Sequence, residues 1–231
     1  MTEALDEPML LVMDVDSTLI QAEVIELIAE HAGTRDEVAA VTEAAMRGEL
    51  DFAQSLHARV ATLAGLDLEV LERVCHAVPL TPGARTLIGA FHERGWPVGL
   101  VSGGFREVVE PLAADLGIAH VRANELESEG GRLTGRVRGA VVDRRTKETF
   151  LRELAAEHGI PMERTVAVGD GANDLDMVGA AGTGVAFCAK PALREAATIA
   201  VDEPDLALVL DALGVTSQRA DDDEGGYPLR P

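Results

Sequence analysis

An α/β fold on a mostly parallel sheet is what this chain predicts, and three observations carry that expectation. Short apolar runs recur that each end in Asp, Ser or Gly, helical stretches separate them, and one long block after the first run is helical throughout. A strand covered on both faces reads as an unbroken apolar run, which is the pattern at Leu10, Leu11, Val12 and Met13.

That first strand is closed by Asp14, Val15, Asp16, Ser17 and Thr18. Amphipathic helical stretches follow at 22–32, 35–47, 51–64 and 67–76, punctuated by Gly33, Gly48 and Gly65, and together they could form a small bundle. From Thr81 the alternation resumes, with a helix, a strand over 97–101, a glycine turn at Ser102, Gly103 and Gly104, and a helix over 105–116. Residues 121–142 alternate around Glu129, Gly130 and Gly131 and predict a β-hairpin. A strand over 165–168, a turn at Gly169, Asp170 and Gly171, a helix near 173–180 and a strand over 184–187 complete the pattern. The expected division is a core of residues 1–17 and 78–214, a helical insert of 18–77, and an acidic tail of 215–231 with too little apolar surface to order.

The bulk composition narrows the partners. A chain of 231 residues fits one large domain, or one core with an insertion. Forty acids against twenty bases give a formal charge of −20, which disfavours nonspecific binding to nucleic acid or to an anionic membrane. No apolar run approaches the roughly 18 residues of a spanning helix, and Met1, Thr2 and Glu3 do not resemble a basic leader, so a soluble cytoplasmic protein is expected. Cys75 and Cys188 lie far apart with no C-x-x-C spacing and read as reduced core thiols. The six histidines are scattered, which argues against a zinc site or a Ser/His/Asp triad.

Chemistry concentrates where strands end, because ligands of open α/β sheets bind beyond the carboxyl ends. Asp14 and Asp16 stand two apart, and on an extended strand such positions share a face. Like charges so close need a cation between them or a proton on one; the plain alternative is an Asp that caps the next helix beside an unrelated Asp. With a cation bound, one carboxylate can attack an electrophile while the other serves as general acid and then base. A second strand end offers the Ser102 hydroxyl and the unobstructed Gly103 amide at a helix start, where phosphate is favoured. The third offers Asp170 with Asn173 and Asp174. Asp14 and Asp170, with a backbone carbonyl and water, would make the oxygen-only shell that magnesium prefers. Lysines occur at two positions, Lys147 and Lys190, and Lys147 could hold both an attacking carboxylate and transferring phosphoryl oxygens. Each fragment has an ordinary reading as a turn, a loop or a solvated lysine; their combination in this order favours a site.

At these residues the chain resembles the phosphoserine phosphatases of the haloacid dehalogenase superfamily. Asp14 Val15 Asp16 Ser17 Thr18 matches the first motif, D-x-D-x-T/S, and Val101 Ser102 Gly103 Gly104 Phe105 the second. Lys147 matches the third, and Gly169 Asp170 Gly171 Ala172 Asn173 Asp174 the fourth, G-D-G-x-N-D. The segments 19–26 and 51–60 resemble the substrate-selecting helical cap, and Asn124 Glu125 Leu126 and Leu133 Thr134 Gly135 continue the likeness, which extends to about Gly214.

The resemblance implies a Rossmannoid core with an inserted cap, and a Mg²⁺-dependent hydrolysis of O-phospho-L-serine, the last step of serine synthesis. Asp14 would be the nucleophile that forms an aspartyl-phosphate, and Asp16 the proton donor and then general base. The metal would be held by Asp14, the main-chain carbonyl of Asp16 and Asp170, with Asp174 supporting it or binding through water. Ser102, Gly103, Lys147 and Asn173 would surround the phosphoryl group. In the cap, Glu23 would meet the substrate ammonium and Arg59 its carboxylate, with Met46 and Phe52 as an apolar lid. A monomer or homodimer acting on this small molecule is the expected state. Many bacterial relatives carry an N-terminal regulatory module; nine residues precede Leu10 here, so serine sensing of that kind is not expected. Arg144 Arg145 Thr146 is more basic than the usual surroundings of the lysine. The alternatives are a related phosphatase or a phosphotransferase to another alcohol such as homoserine. A phospho-acceptor signalling module is disfavoured by the helical insert and Asp16, and a dehalogenase by Asp16.

Overall fold

The structure, a computed structural model, describes residues 7–46, 49 and 51–215, with the side chains of 43–46 outside that description. Seven strands form one sheet in the order β4-β3-β2-β1-β5-β6-β7. They are β1 (Leu10–Met13), β2 (Val98–Phe105), β3 (His120–Glu129), β4 (Arg132–Arg138), β5 (Thr165–Gly169), β6 (Thr183–Phe187) and β7 (Ile199–Val201). All neighbours run parallel except β3 and β4, which form the expected hairpin on one edge around Gly130 and Gly131, both at positive φ. A strand order that reverses about β1 leaves a crevice beyond the carboxyl ends of β1, β2 and β5.

Every residue of β1 is fully buried, as its central place requires. Leu10 and Val12 pack with Phe150, Leu151 and Leu154 of α7 (Arg144–Glu157), Met177 and Val178 of α8 (Leu175–Ala180) and Leu193 of α9 (Pro191–Ala196). Leu11 and Met13 point the other way, into a core shared with α5 (Ala84–Glu93), α6 (Arg106–Asp115) and α10 (Ala207–Leu213). That second core continues into the insert of α1 (Val24–Ala32), α2 (Arg35–Met46), α3 (Phe52–Ala61) and α4 (Glu69–Ala77).

The insert is fastened at two places. Its connecting chains pair with each other: Ile20 bridges Leu80, the Gln21 amide donates to Pro79 O (3.1 Å), and the Thr81 hydroxyl donates to Thr18 O (2.7 Å). Its far end pairs with the hairpin, where the Gly65 amide donates to Leu133 O (2.8 Å) and the Leu133 amide to Leu66 O (2.9 Å). Gly135 faces this contact at φ +79, and a Cβ there would stand 2.9 Å from the Ala64 methyl.

Several expectations need correction. Strand β1 stops at Met13, so Asp14 and Asp16 do not share a strand face; a tight turn over Val15–Leu19, with Ser17 at φ +57, aims them instead. Ser102, Gly103 and Gly104 are not a turn but the last part of β2, which continues past a register shift to Phe105. Lys147, whose ordinary reading is a solvated lysine, is fully buried within the first turn of α7. Cys188 is exposed rather than a core thiol, and Cys75 is half-buried; both are free. Val215 is buried, so the core reaches one residue beyond the expected boundary. The rest of the tail, with Arg47 and Gly48, lies outside the described residues.

Candidate active site

The turn after β1 sets the first two carboxylates. The Asp14 amide donates to Val168 O of β5 (3.0 Å), which locks the strand end, and Asp14 Oδ1 accepts from the Val15 amide (2.7 Å). Asp16 Oδ1 accepts from the Val24 amide at the start of α1 (3.0 Å) while its carboxyl also faces a cavity. The contact with the start of α1 and the exposure to the cavity, alternatives in the sequence, therefore meet in one residue. Asp16 Oδ2 lies where a Cβ on Gly104 would come within 2.8 Å, so the glycine is what lets the carboxylate sit against β2.

Behind Asp14 lies Lys147, wholly buried in the first turn of α7. Its Nζ stands 2.8 Å from Asp14 Oδ1 and 2.7 Å from Asp174 Oδ1. Asp174 Oδ2 accepts from the amides of Asp170 (3.2 Å) and Gly171 (3.1 Å), so both oxygens of Asp174 are committed to the lysine and to the loop. Ser102 is also fully buried, with Oγ accepting from the Gly104 amide (2.8 Å), and Asn124 donates to Gly103 O (2.7 Å). Asn124 in turn accepts from the Val142 amide (2.8 Å), which ties β2 to the segment leading into α7.

A cavity of about 540 Å³ opens between these strand ends and the insert. Asp14, Asp16, Gly103, Asp170 and Asn173 line its floor, and Glu23, Phe52 and Arg59 line its roof. Glu23 accepts from the Ser17 hydroxyl (3.0 Å), and Arg59 Nε donates to Ser55 O (3.4 Å). The Phe52 ring lies over Gly103, 3.2 Å from where a Cβ would be. Ser102, Lys147 and Asp174 stand behind the wall rather than on it, and the side chain of Met46 lies outside the described residues. Sequence reasoning passed over Lys190, which lines the same cavity and whose amide donates to Asp170 O (2.9 Å); its rarity in the chain was the available signal.

Burial dominates the electrostatics. It raises Asp14 well above the ordinary carboxylate range, with Asp174 adding to the effect and Lys147 opposing it. Burial and then Glu23 raise Asp16 to about 7, and burial and then Asp174 raise Asp170 to about 6. Burial works against the Lys147 ammonium, yet Asp14 and Asp174 outweigh it and its pKa is raised. Asp14, Asp170 and Asp174 crowd one buried ammonium, and after burial it is that crowding of acids that raises Asp14 and Asp170, which a divalent cation would relieve. Ligand oxygens of Asp14, Asp170 and Asp174 lie within 4.8 Å of one another, an all-oxygen set that suits a hard cation.

The family model for haloacid dehalogenase-like hydrolases matches residues 11–178, the whole span from β1 through the carboxylate loop. The chain belongs to that family. A phosphoserine phosphatase of Streptomyces coelicolor is 59% identical over 96% of this chain and 56% of its own length, and one of Mycobacterium tuberculosis is 58% identical over 90% and 51%. The chain thus spans about half the length of these two relatives, whereas it covers 95% of a phosphoserine phosphatase of Streptococcus thermophilus at 52% identity. Among solved structures, a substrate-bound phosphoserine phosphatase complex aligns at TM-score 0.84 and 41% identity, covering 89% of this chain and 98% of that one. A phospho-aspartyl intermediate analogue of phosphoserine phosphatase aligns at TM-score 0.83 and 42% identity, covering 89% and 99%. No helix among the described residues is long and apolar enough to cross a membrane.

Proposed function

We propose that this chain hydrolyses O-phospho-L-serine to L-serine and phosphate through a phosphorylated aspartate, as a Mg²⁺-dependent phosphomonoesterase. The observation that carries the reading is the shared Lys147 ammonium, 2.8 Å from Asp14 and 2.7 Å from Asp174, beneath a cavity into which Asp14 and Asp16 both open. Relatives named for this activity at 52–59% identity support it. A core of 1–17 and 78–214 that carries the chemistry, with 18–77 as the substrate-selecting cap, a cytoplasmic location and a monomer or homodimer belong to the same proposal.

Asp14 attacks phosphorus through a carboxylate oxygen as the bond from phosphorus to the serine oxygen breaks. Asp16, with a pKa of about 7, is protonated often enough to donate to that leaving oxygen and basic enough to take the proton back. In the second half, Asp16 removes a proton from water, whose oxygen attacks the phosphoryl group and frees Asp14 and phosphate. Lys147 keeps Asp14 aligned and offsets the charge carried by the transferring group. A bound Mg²⁺, held by Asp14, Asp170 and the main-chain carbonyl of Asp16, would neutralise the phosphoryl oxygens and favour ionised Asp14. Asp174 holds Lys147 and the Asp170 loop, the part suited to a group whose two oxygens are already bonded. Gly103, Asn173 and Ser102 form the phosphoryl end of the site.

On the roof, Glu23 suits the ammonium of the amino acid and Arg59 its carboxylate, while Phe52 and Met46 exclude water. A panel of phosphoserine, phosphothreonine, phosphohomoserine and sugar phosphates, assayed for phosphate release with and without an added alcohol, tests the assignment. Phosphoserine should lead, with phosphate as the product. Delivery of phosphoryl groups to the alcohol in preference to water would make the protein a phosphotransferase instead.

A further inference from the structure

The histidines scattered in sequence include two that the fold brings together. His120 opens β3 and His158 follows the last turn of α7, and their Nε2 atoms stand 3.1 Å apart with the rings at 89°. Glu157 joins them, so that one ligand atom from each of the three lies within 4.8 Å of the others. Donors of one tetrahedral zinc, with bonds of about 2.0–2.1 Å, are spaced by about 3.3 Å, so the imidazole pair already has that spacing and Glu157 needs a small rotation.

We propose that His120, Glu157 and His158 form a second cation site, for a zinc-class transition ion. Imidazole with one carboxylate suits zinc, nickel or copper, whereas the oxygen-only set of Asp14, Asp170 and Asp174 suits magnesium. Three protein ligands leave a position for water. The site also lies at the C-terminal end of α7, where the orphan carbonyls and the helix dipole favour positive charge. The chain's net charge of −20 adds a general attraction for cations.

The location makes this a structural clasp rather than part of the chemistry. His120 is at the amino end of its strand, and the cavity is at the carboxyl ends. His158 lies eleven positions after Lys147, about 16 Å along the helix axis. A bound ion would join the end of α7 to the start of β3 by coordinate bonds in place of the contact between the two rings.

The test uses the full chain in excess Mg²⁺, which keeps the carboxylate site occupied, dialysed against a small molar excess of ZnCl₂. Zinc per chain is then counted, and melting temperature is recorded with and without zinc. The wild type should retain one zinc and melt higher with it. His120→Asn, His158→Asn and the double variant should lose both effects while keeping Mg²⁺-dependent phosphate release in zinc-free buffer within about twofold, which shows that they are folded. Copper bound in place of zinc should show hyperfine coupling to two nitrogens in its electron paramagnetic resonance spectrum. Zinc retained undiminished by the double variant would place the ion elsewhere and overturn the proposal. Failure of the wild type to retain zinc would overturn it as well, leaving the pair as two hydrogen-bonded imidazoles.

Discussion

Asp14 and Asp16 differ by two positions and have different surroundings, and the proposed division of labour between them draws on that difference. Asp14 touches Lys147, while Asp16 touches an amide and faces Glu23, so a cation offsets part of what burial does to the first carboxyl and a second acid adds to it at the other. The proton balance gives a prediction for the metal-free protein. Asp16 and Asp170 have pKa values of about 7 and about 6, raised above the ordinary value of 3.8, so the folded state binds the proton more tightly than the unfolded state. Their contribution to stability is complete below the unfolded value and is lost as pH climbs through 6 and 7. In EDTA, the melting temperature should fall over that window, and fall less in Asp16→Asn, which keeps the oxygen that accepts from Val24 but has no proton to lose. Thermal melts of the two proteins across pH check this; equal slopes would contradict it. The proposed ligands Asp14 and Asp170 must lose their protons to hold a cation, so Mg²⁺ affinity measured calorimetrically should rise as pH climbs through about 6. Gly104 acts at the same scale. Its replacement by Ala would set a methyl 2.8 Å from Asp16 Oδ2, and kcat should drop by about a hundredfold with the fold intact, since misplacement of a reacting group by about 1 Å costs that much.

At the scale of elements, the insert roofs the cavity above the carboxylates, and its two fastenings decide where it sits. Arg59 on α3 lines the cavity and is the proposed partner of the substrate carboxylate, so Arg59→Ala should lower kcat/KM for phosphoserine by about tenfold to a hundredfold, the worth of a charge-assisted pair of roughly 1.5 to 3 kcal/mol. Hydrolysis of a small ester without a carboxylate should change little, and equal losses on both substrates would mean a general structural role. Gly135 tests the second fastening. An Ala there meets both an unfavourable φ of +79 and the Ala64 methyl at 2.9 Å, and should cost roughly 2 to 4 kcal/mol in denaturant unfolding. This docking was not legible in the sequence. Alternation and the glycine pair marked the hairpin, but nothing in residues 65–68 reads as an edge for it, because backbone pairing leaves no side-chain signature. The end of β2 was hidden for a related reason: Ser102, Gly103 and Gly104 have turn composition, and a register shift allows them to remain in the sheet.

For the molecule as a whole, the sheet order brings three distant segments to one crevice, and their meeting was legible because each closes an apolar run of a parallel sheet. Asp14, Ser102 and Asp170 were marked by their position at the close of an apolar run, and Lys147 by the scarcity of lysine. The depth of the lysine was not, since a cation at a helix start ordinarily faces water, and only the carboxylates on both sides of its ammonium make burial tolerable. Nor could one sequence show that His120 and His158 would meet, because the contact depends on where α7 ends against the sheet. The α/β class, the hairpin edge and the helical block come from periodicity; the angle at which the turn after β1 aims its acids comes from backbone geometry at Ser17.

Central to the proposal is the transfer of phosphate to Asp14. Turnover of ³²P-labelled phosphoserine, stopped with acid within milliseconds and then subjected to peptide mapping, should find label on the peptide that contains Asp14, released by hydroxylamine as an acyl phosphate must be and absent in Asp14→Asn. Label on another side chain, or rapid phosphate release with no labelled peptide at any time point, would contradict it.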